Sequence, residues 1–574
     1  MSLPTTAPAQ TGTIREVGPG KTYATIQACA NAAVAGDTCL IYAGSYAGWT
    51  QGINGSAGNP ITFKANAGDT VTVTSTATIT SRSYITIGGS ASNEGLRFIS
   101  TSGSGISAAS GANYIIIQNN YLENKGGSCL RFATGESSDI QILRNTMYRC
   151  GRPDTPTDLN ASIMAGGQRF LIDGNDISAS GDCIYIQGSS PTRSVIRNNY
   201  CHDFDSVGTG EHIDGIQLDG AAGTLSETLI ENNKFDTFVD TTGGNDCHIM
   251  LFQNLSFPAA ENLIIRHNYG HSWASGLGLG SPSPVNEITY MRAYHNTLAT
   301  EALGTFNGGG ILVFEASHNG KFINNIFYNV MAGASSRSPT LTSGTVTGTV
   351  WNSNVVYTAG YTGGWGSPYS TEATYNTLRN VNPQFANYPN TAELSASSTL
   401  INAAVPLTIV ATADTGSGTT LIANDARFFY AFTNIPGVQA DCIAIGTVSN
   451  TACISSINYA TNTITLTNSI TRNDGDNIWL YKDSDGTQVL YGSAPDIGAY
   501  EFVSATAPPP PPPPPPGPEP LAGDLNTDHI VNALDWSMMN QYWGTSNATA
   551  DLNSDGTVNT LDYSILNANW FGTW

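Results

Sequence analysis

The chain has 574 residues, of which 11% are charged, with 44 Asp and Glu against 22 Lys and Arg for a net charge of −22. That length exceeds one compact core and implies several domains. The acidic balance excludes a general nucleic-acid or anionic-membrane binder, and no apolar run reaches the roughly 18 residues that a membrane span needs.

Residues 1–14 read as a leader or tag remnant, because MSLPTTAPAQ carries neither the basic nor the apolar segment of a signal peptide. Tyr23–Val34 has the apolar spacing of a short amphipathic helix and precedes the strand TCLIYAG. A helix there would cover the open end of a sheet stack. Nine cysteines contain no CxxC, which argues against a zinc ribbon or redox dithiol. Cys29/Cys39 and Cys442/Cys453 are spaced for local disulfides, and the odd total leaves one thiol over.

A repeat follows. IIQNNYLEN, ILRNTMYRC, LIDGNDISA, VIRNNYCHD, LIENNKFDT, IIRHNYGHS, RAYHNTLAT and FINNIFYNV each join a short apolar strand to a corner and a second, alternating strand. The corners align at Asn119, Asn145, Gly174, Asn198, Asn232, His267, Asn296 and Asn325. A recurring unit of that length means a solenoid, and strand-rich units mean a β-solenoid. Asn tolerates the left-handed backbone of a tight corner, and stacked Asn side chains can bond along the axis. Residues 406–490 break this pattern with short alternating strands between Asn, Asp and Gly turns, which reads as an inserted β-sandwich or barrel. Residues 491–503 return to close the body. Residues 504–520 hold an unbroken proline run, an extended and stiff spacer.

The segment GKTYATIQACANAAVAGDTCLIYAGSY, the Asn corners, and the closing SSTLINAA and APDIGAYEF resemble secreted right-handed parallel β-helix enzymes of the pectate lyase-like superfamily. The resemblance covers roughly residues 15–405 and 491–503. It implies an all-β chain, a right-handed parallel β-helix with an N-terminal capping helix, acting on a polysaccharide outside the cell.

The tail, residues 521–574, contains GDLNTDHIVNALDWSMMNQYWG and ADLNSDGTVNTLDYSILNANWFG. Asp524, Asn526, Asp528, Asn532 and Asp535 fall at positions 1, 3, 5, 9 and 12 of one loop, and Asp551, Asn553, Asp555, Asn559 and Asp562 at those of the other. Ile530 and Thr557 supply the carbonyl position. This is EF-hand-type spacing of hard oxygen donors around Ca2+. Two such loops, each before one helix and each ending in Asp, resemble a dockerin, a small α-helical calcium-binding domain. That resemblance implies a cohesin-bearing scaffold as partner. His529 replaces the turn glycine of the first loop, which predicts a weaker first site.

Residues 202–248 are dense in acids and hold three of the eight histidines. Aligning DCIYIQ, DGIQLDG and CHIMLFQ as successive rungs puts Ile184, Ile216 and Ile249 in one inward column. Tyr185, Gln217 and Met250 then point outward, followed by Gln187, Asp219 and Phe252. Paired carboxylates of different environment can act as general acid and as base or nucleophile. Asp214 and Asp219 are the first candidates, with His248, Glu211, His212 and Asp246 as alternates. Tyr185, Gln187, Gln217, Arg131, His271 and Trp273 are candidates for contacting substrate. The leading expectation is a glycoside hydrolase on a plant cell-wall polysaccharide, since the region is poor in Lys and Arg. A calcium-dependent lyase acting by β-elimination is the alternative, and a basic residue in the outward ladder near the acids would favour it. A non-catalytic glycan-binding solenoid is the third reading. Lys234 follows the Asn corner rather than lying in that outward ladder, which counts against the lyase.

Overall fold

The computed structural model describes residues 12–108, 111–132, 137–151, 161–187, 193–205, 213–219, 227–239, 248–253, 262–271, 275–279, 288–299, 311–313, 317–329, 340–341, 348–359, 375–379, 381–503, 525, 533–547, 549–553 and 556–568. The chain divides into two compact units, 1–502 and 503–574.

Among the described residues, the central coils of the first unit each contribute one strand to each of three sheets, and strands of successive coils pair in parallel. The coil after Arg193, for example, places Val195–Arg197 in the first sheet, Tyr200–Asp205 in the second and Ile216–Asp219 in the third. Strand alternation sends one set of side chains inward. On the first sheet that set is one unbroken column, Ile117, Ile142, Ile172, Ile196, Ile230, Ile265, Ala293 and Phe322, all buried. The β-branched residues suit the pleat and have little rotamer freedom to lose there.

Between the first and second sheets the chain turns through a residue at positive φ. Asn119, Arg144, Gly174, Asn198, Asn232, His267, His295, Asn324 and Ser353 occupy this corner, with φ between 51° and 67°. The next residue in every coil is a buried asparagine: 120, 145, 175, 199, 233, 268, 296, 325 and 354. The aligned corners Asn145, Asn296 and Asn325 therefore belong to a second column, one residue beyond the bend. From Asn145 onward each Oδ1 accepts two bonds from the preceding coil. Asn145 Oδ1 takes the Asn120 backbone N–H at 3.0 Å and Nδ2 at 3.1 Å, and Asn233 Oδ1 takes those of Asn199 at 3.1 and 2.9 Å. The second Nδ2 hydrogen goes to a carbonyl of the inward column, as from Asn199 to Ile172 O at 2.9 Å.

The N-terminal helix runs Ile26–Ala32, shorter than Tyr23–Val34, because Thr25 caps it by accepting from Ala28 N at 3.1 Å. It buries Ile26, Cys29 and Ala30 against the first coils. Disulfides join Cys29–Cys39, Cys129–Cys150, Cys183–Cys201 and Cys442–Cys453. The remaining cysteine, Cys247, lies outside the described residues.

Residues 408–482 form six antiparallel strands in the spatial order 408–409, 477–482, 442–445, 447–458, 463–472, 416–422. A bridge between Val410 and Ala423 joins the first strand to the last and closes the set into a small barrel. The barrel packs on the outer side of the first sheet, over Leu171, Val195, Leu229 and Ile264. A fully buried ion cluster fastens it. The Arg266 guanidinium donates to Glu231 at 2.8 and 2.6 Å and to Asp441 at 2.6 and 2.7 Å. Ser484 donates to the other Glu231 oxygen. Burial opposes the charge on Glu231 and pushes its carboxyl up, against the pull of Arg266. One coil on, Arg292 and Lys321 both meet Asp425 at 2.6 Å.

In the second unit, helices Ala533–Gln541 and Thr560–Ala568 follow the two acidic loops. Met539, Ala550, Val558 and Leu566 form its buried core. Gly544 N donates to Val558 O, and Val558 N to Thr545 O, both at 2.8 Å, which ties the two halves together.

Two stability predictions follow from these contacts. Asn199→Ala strands the Asn175 donors and the Ile172 carbonyl inside the body, and a buried polar group without its partner costs ~1–3 kcal/mol. Denaturant unfolding of that variant is expected to lose at least this much, while Arg144→Gly at the exposed corner changes stability little, since glycine accepts the left-handed backbone freely. Arg266→Met leaves Glu231 and Asp441 buried without their cation and is expected to cost ~3–5 kcal/mol in the same measurement.

Candidate active site

The second sheet presents a dense set of titratable groups on its outer face. Its strands Asp176–Ser178, Tyr200–Asp205, Lys234–Val239 and Tyr269–His271 pair in parallel. The register sets Asp176, Tyr200, Lys234 and Tyr269 in one column. Ser178, His202 and Asp236 form a parallel column two residues on, with His271 on the next coil. These side chains face outward because the residues between them, Ile177, Cys201 and Phe235, fill the interior.

The contacts are short. His271 Nδ1 lies 3.0 Å from Asp236 Oδ1. The Tyr200 hydroxyl donates to Asp236 Oδ2 at 3.2 Å, and Lys234 Nζ lies 3.5 Å from the same oxygen and 4.7 Å from the Tyr200 ring centre. His202 stands between two carboxylates, with Nε2 3.0 Å from Asp176 and Nδ1 2.8 Å from Asp203. Burial alone would raise the Asp236 carboxyl, but the His271 bond and charge, with Lys234 and Tyr200, outweigh it and hold it at about 2. Burial and the adjacent Asp236 charge push the Tyr200 phenol up to about 12. The phenol therefore keeps its proton at neutral pH and remains a donor.

The closing segment bounds this face. Tyr388 packs edge-on against His271 at 5.2 Å between ring centres, and the Tyr269 hydroxyl donates to Pro389 O at 2.6 Å. Tyr500 meets the Tyr269 ring at 5.9 Å. Toward earlier coils, Lys234 and His202 remain partly open, with 30% and 19% of their side chains exposed.

The expected site residues fall in several places. Asp214 is buried, and its backbone N–H donates to Asp182 Oδ1 at 2.8 Å. Asp219 ends a strand of the third sheet opposite Gln187 and Gln253. His248 begins the following strand. Ile216 pairs with Met250 rather than Ile249, so that strand is shifted by one from the expected alignment, and His248 shares the rung position of Asp214. Ile249 and Met250 are both buried, which is why apolar alternation alone did not fix the register. Arg131, Tyr185 and Gln217 stand in one column of the third sheet, Arg131 exposed, Tyr185 half-buried and Gln217 buried. His271 lies apart from them, on the second sheet. Glu211, His212, Asp246 and Trp273 lie outside the described residues.

Lys234 follows the corner pair Asn232-Asn233 and lies outside the third-sheet ladder of Tyr185 and Gln217, as expected, but it opens an outward column of the second sheet. Tyr200, His202 and Asp236 were not singled out. Their signal was the alternation after each asparagine pair, YCH, KFD and YGH, in which the first and third residues share a face.

In the second unit Asp535 and Asp562 are fully buried. Asp562 accepts the Asn553 and Asn559 N–H groups at 3.1 and 2.8 Å, and Asp551 accepts Gly556 N–H at 2.8 Å. The loop 551–562 thus curls around its own acids, and its donors are all oxygens, as a hard cation requires. Asp551, Asn553, Thr557, Asn559 and Asp562 fit a calcium ion. Of the first loop only Asp535 lies among the described residues. Asp524, Asn526, Asp528, Ile530, Asn532 and Asp555 remain assigned by spacing alone.

No curated protein matches the sequence. Among solved structures, the chain is similar to a pectate lyase, Pel9A, at 15% identity over 70% of this chain and 94% of that one, with a TM-score of 0.37. It is also similar to XylC in complex with xylose, at 12% identity over 82% and 100%, TM-score 0.39. A third is the PL6 family polysaccharide lyase of Pseudopedobacter saltans, at 11% identity over 67% and 96%, TM-score 0.38. Likeness at this level concerns the fold alone. Residues 80–253 match the family described as right handed beta helix region, and residues 522–569 match the dockerin type I domain. The chain is therefore a right-handed parallel β-helix protein that carries a dockerin type I domain.

Proposed function

We propose that this chain is an extracellular polysaccharide lyase, held on a cohesin-bearing scaffold through its dockerin. The supporting observation is Lys234: it stands in an outward ladder of the second sheet with Tyr200, His202 and His271, around Asp236. Hydrolysis by the expected carboxylate pair is less well supported, because Asp214 is buried.

β-Elimination on a uronate needs a cation near the carboxylate, a base for the α-proton and an acid for the leaving oxygen. In this reading Lys234 Nζ supplies the positive group on this face, and His202, bonded at both ring nitrogens to Asp176 and Asp203, fixes the neighbouring rung. Lys234 in its neutral form takes the proton, Tyr200 returns one to the leaving oxygen, and Asp236 orients both. Among the described residues of the body, no three His, Cys, Asp or Glu side chains are grouped to hold a metal, and no step is derived through calcium there. The four disulfides accord with an oxidising, extracellular setting.

The test is digestion of polygalacturonate, alginate and xylan by the full chain, with reducing ends and the ultraviolet absorbance of unsaturated uronides followed together. Absorbance is expected to rise with one of the two uronates, and Lys234→Ala to lower kcat by ~100-fold or more. Reducing ends without absorbance would establish hydrolysis and direct attention to Asp219 and His248.

For the dockerin, calcium is expected to bind in two steps, the weaker in the first loop where His529 occupies the turn position. EDTA should release the chain from a cohesin. Asp562→Ala should remove the tighter step in calorimetry. A single step, or an unaltered one, would count against the loop assignment.

A further inference from the structure

A half-open cavity of about 200 Å³ lies at the junction of the β-helix corner, the barrel and the closing segment. Asn232, His267, Glu393, Gln488, Tyr491 and Glu501 line it. None of them was singled out as a substrate-contacting residue, and the proposed lyase face uses none of them. Its volume falls below the ~300–1,000 Å³ of clefts that enclose drug-sized ligands, which suits one sugar ring better than a polymer segment.

The cavity contains an unmet polar group. His267 is 7% exposed, and its Nδ1 is buried without a hydrogen-bond partner. Such a group costs stability unless a ligand or water satisfies it. Burial, the neighbouring His295 ring and the Arg266 charge all hold this imidazole well below its usual pKa, so it is neutral. Glu393 and Glu501 line the cavity with carboxyl groups that can bond to hydroxyls. Burial, with Asp496 beside it, pushes the Glu501 carboxyl up to about 8, so near neutral pH it can donate as well as accept. Among the described residues no three acid or His side chains are grouped for a metal ion. A hydroxyl both donates and accepts, and so satisfies a neutral imidazole and a carboxyl together. Tyr491, 41% exposed, offers the flat apolar surface against which a sugar ring packs.

We infer that this cavity is a binding site for a neutral monosaccharide unit, separate from the face that carries Lys234. The inference holds whichever reaction that face performs.

The test titrates the full chain with D-xylose, L-arabinose, D-galactose and D-glucose, by calorimetry and saturation-transfer NMR. At least one is expected to bind saturably with a Kd of order millimolar. Tyr491→Ala and Gln488→Ala, both near the surface, should each weaken it about five- to tenfold. Lys234→Ala should leave it unchanged, which separates this site from the lyase reading. No saturable binding would overturn the proposal, as would binding that both rim variants leave intact. So would a cavity that takes calcium or zinc chloride and excludes the sugars.

Discussion

The asparagine ladder is the contact on which the rest of the molecule depends. A parallel solenoid has no hairpins to fix its register, since each strand meets only the coil before and after it. Nine buried side chains supply that register between Asn120 and Asn354. Those from Asn120 to Asn325 use both amide hydrogens and the carbonyl oxygen, so a slip of one residue would strand three polar groups in the interior of each of these coils. The ladder also accommodates unequal coils. Sequence separations between successive asparagines run from 24 to 35, yet the bonds stay between 2.8 and 3.1 Å. The extra residues fall between strands elsewhere on the coil. This explains why the coil-to-coil spacing is rigid at the first-to-second corner while the connections from the second sheet to the third vary.

The corner also determines what the two flanking sheets can do. Before it, on the first sheet, the strands VIR, LIE and IIR are apolar on both faces and then charged. A sheet apolar on both sides must be covered. The barrel at 408–482 covers it, and of the charged residues that end these strands Arg266 pairs with the barrel's Asp441. A buried ion cluster of this kind adds less to stability than to specificity, because desolvation offsets much of the attraction. Arg266 between Glu231 and Asp441 admits one seating of the barrel. After the corner, on the second sheet, alternation is strict and the outer positions are Tyr, His, Lys and Asp. Polar outer residues on a sheet left partly open are the ordinary condition for binding.

Much of this was legible in the sequence. Asparagine at the corners, the strand–corner–strand repeat, the capping helix and the duplicated dockerin unit have strong local signals. The assignment of asparagines to a column failed by one residue in three coils, since a bend residue and a ladder residue stand side by side and both favour Asn. NN, HN, GN, RN and SN all encode the same two positions: the first takes the bend, the second the ladder. The register of residues 247–253 failed for a similar reason, as Ile249 and Met250 are both buried and period-two alternation is lost there. The site was harder to read. Density of acids pointed to residues 202–248, but which face each acid joins depends on the corner column. Once the ladder is fixed, Lys234 follows as an outward residue. Nothing local indicates that residues 487–501 return to the same corner, because those contacts span more than two hundred residues of chain.

The arrangement of the faces bears on mechanism. The first sheet is closed by the barrel, and the later coils of the second by Tyr388 and Tyr500. What stays open on the second sheet ends against that aromatic wall, with Tyr200, His202 and Lys234 as the last uncovered rungs. A polymer lying along the solenoid would be stopped there, which brings one sugar linkage into register with the charged cluster. Binding energy from the earlier coils can then be applied to positioning at one point. The wall also limits water around Asp236, so its bonds to Tyr200 and His271 act in a lower dielectric than on an open surface. The same closing segment forms one side of the cavity at His267. Residues 388–393 and 487–501 thus border both the face that carries Lys234 and the cavity at His267.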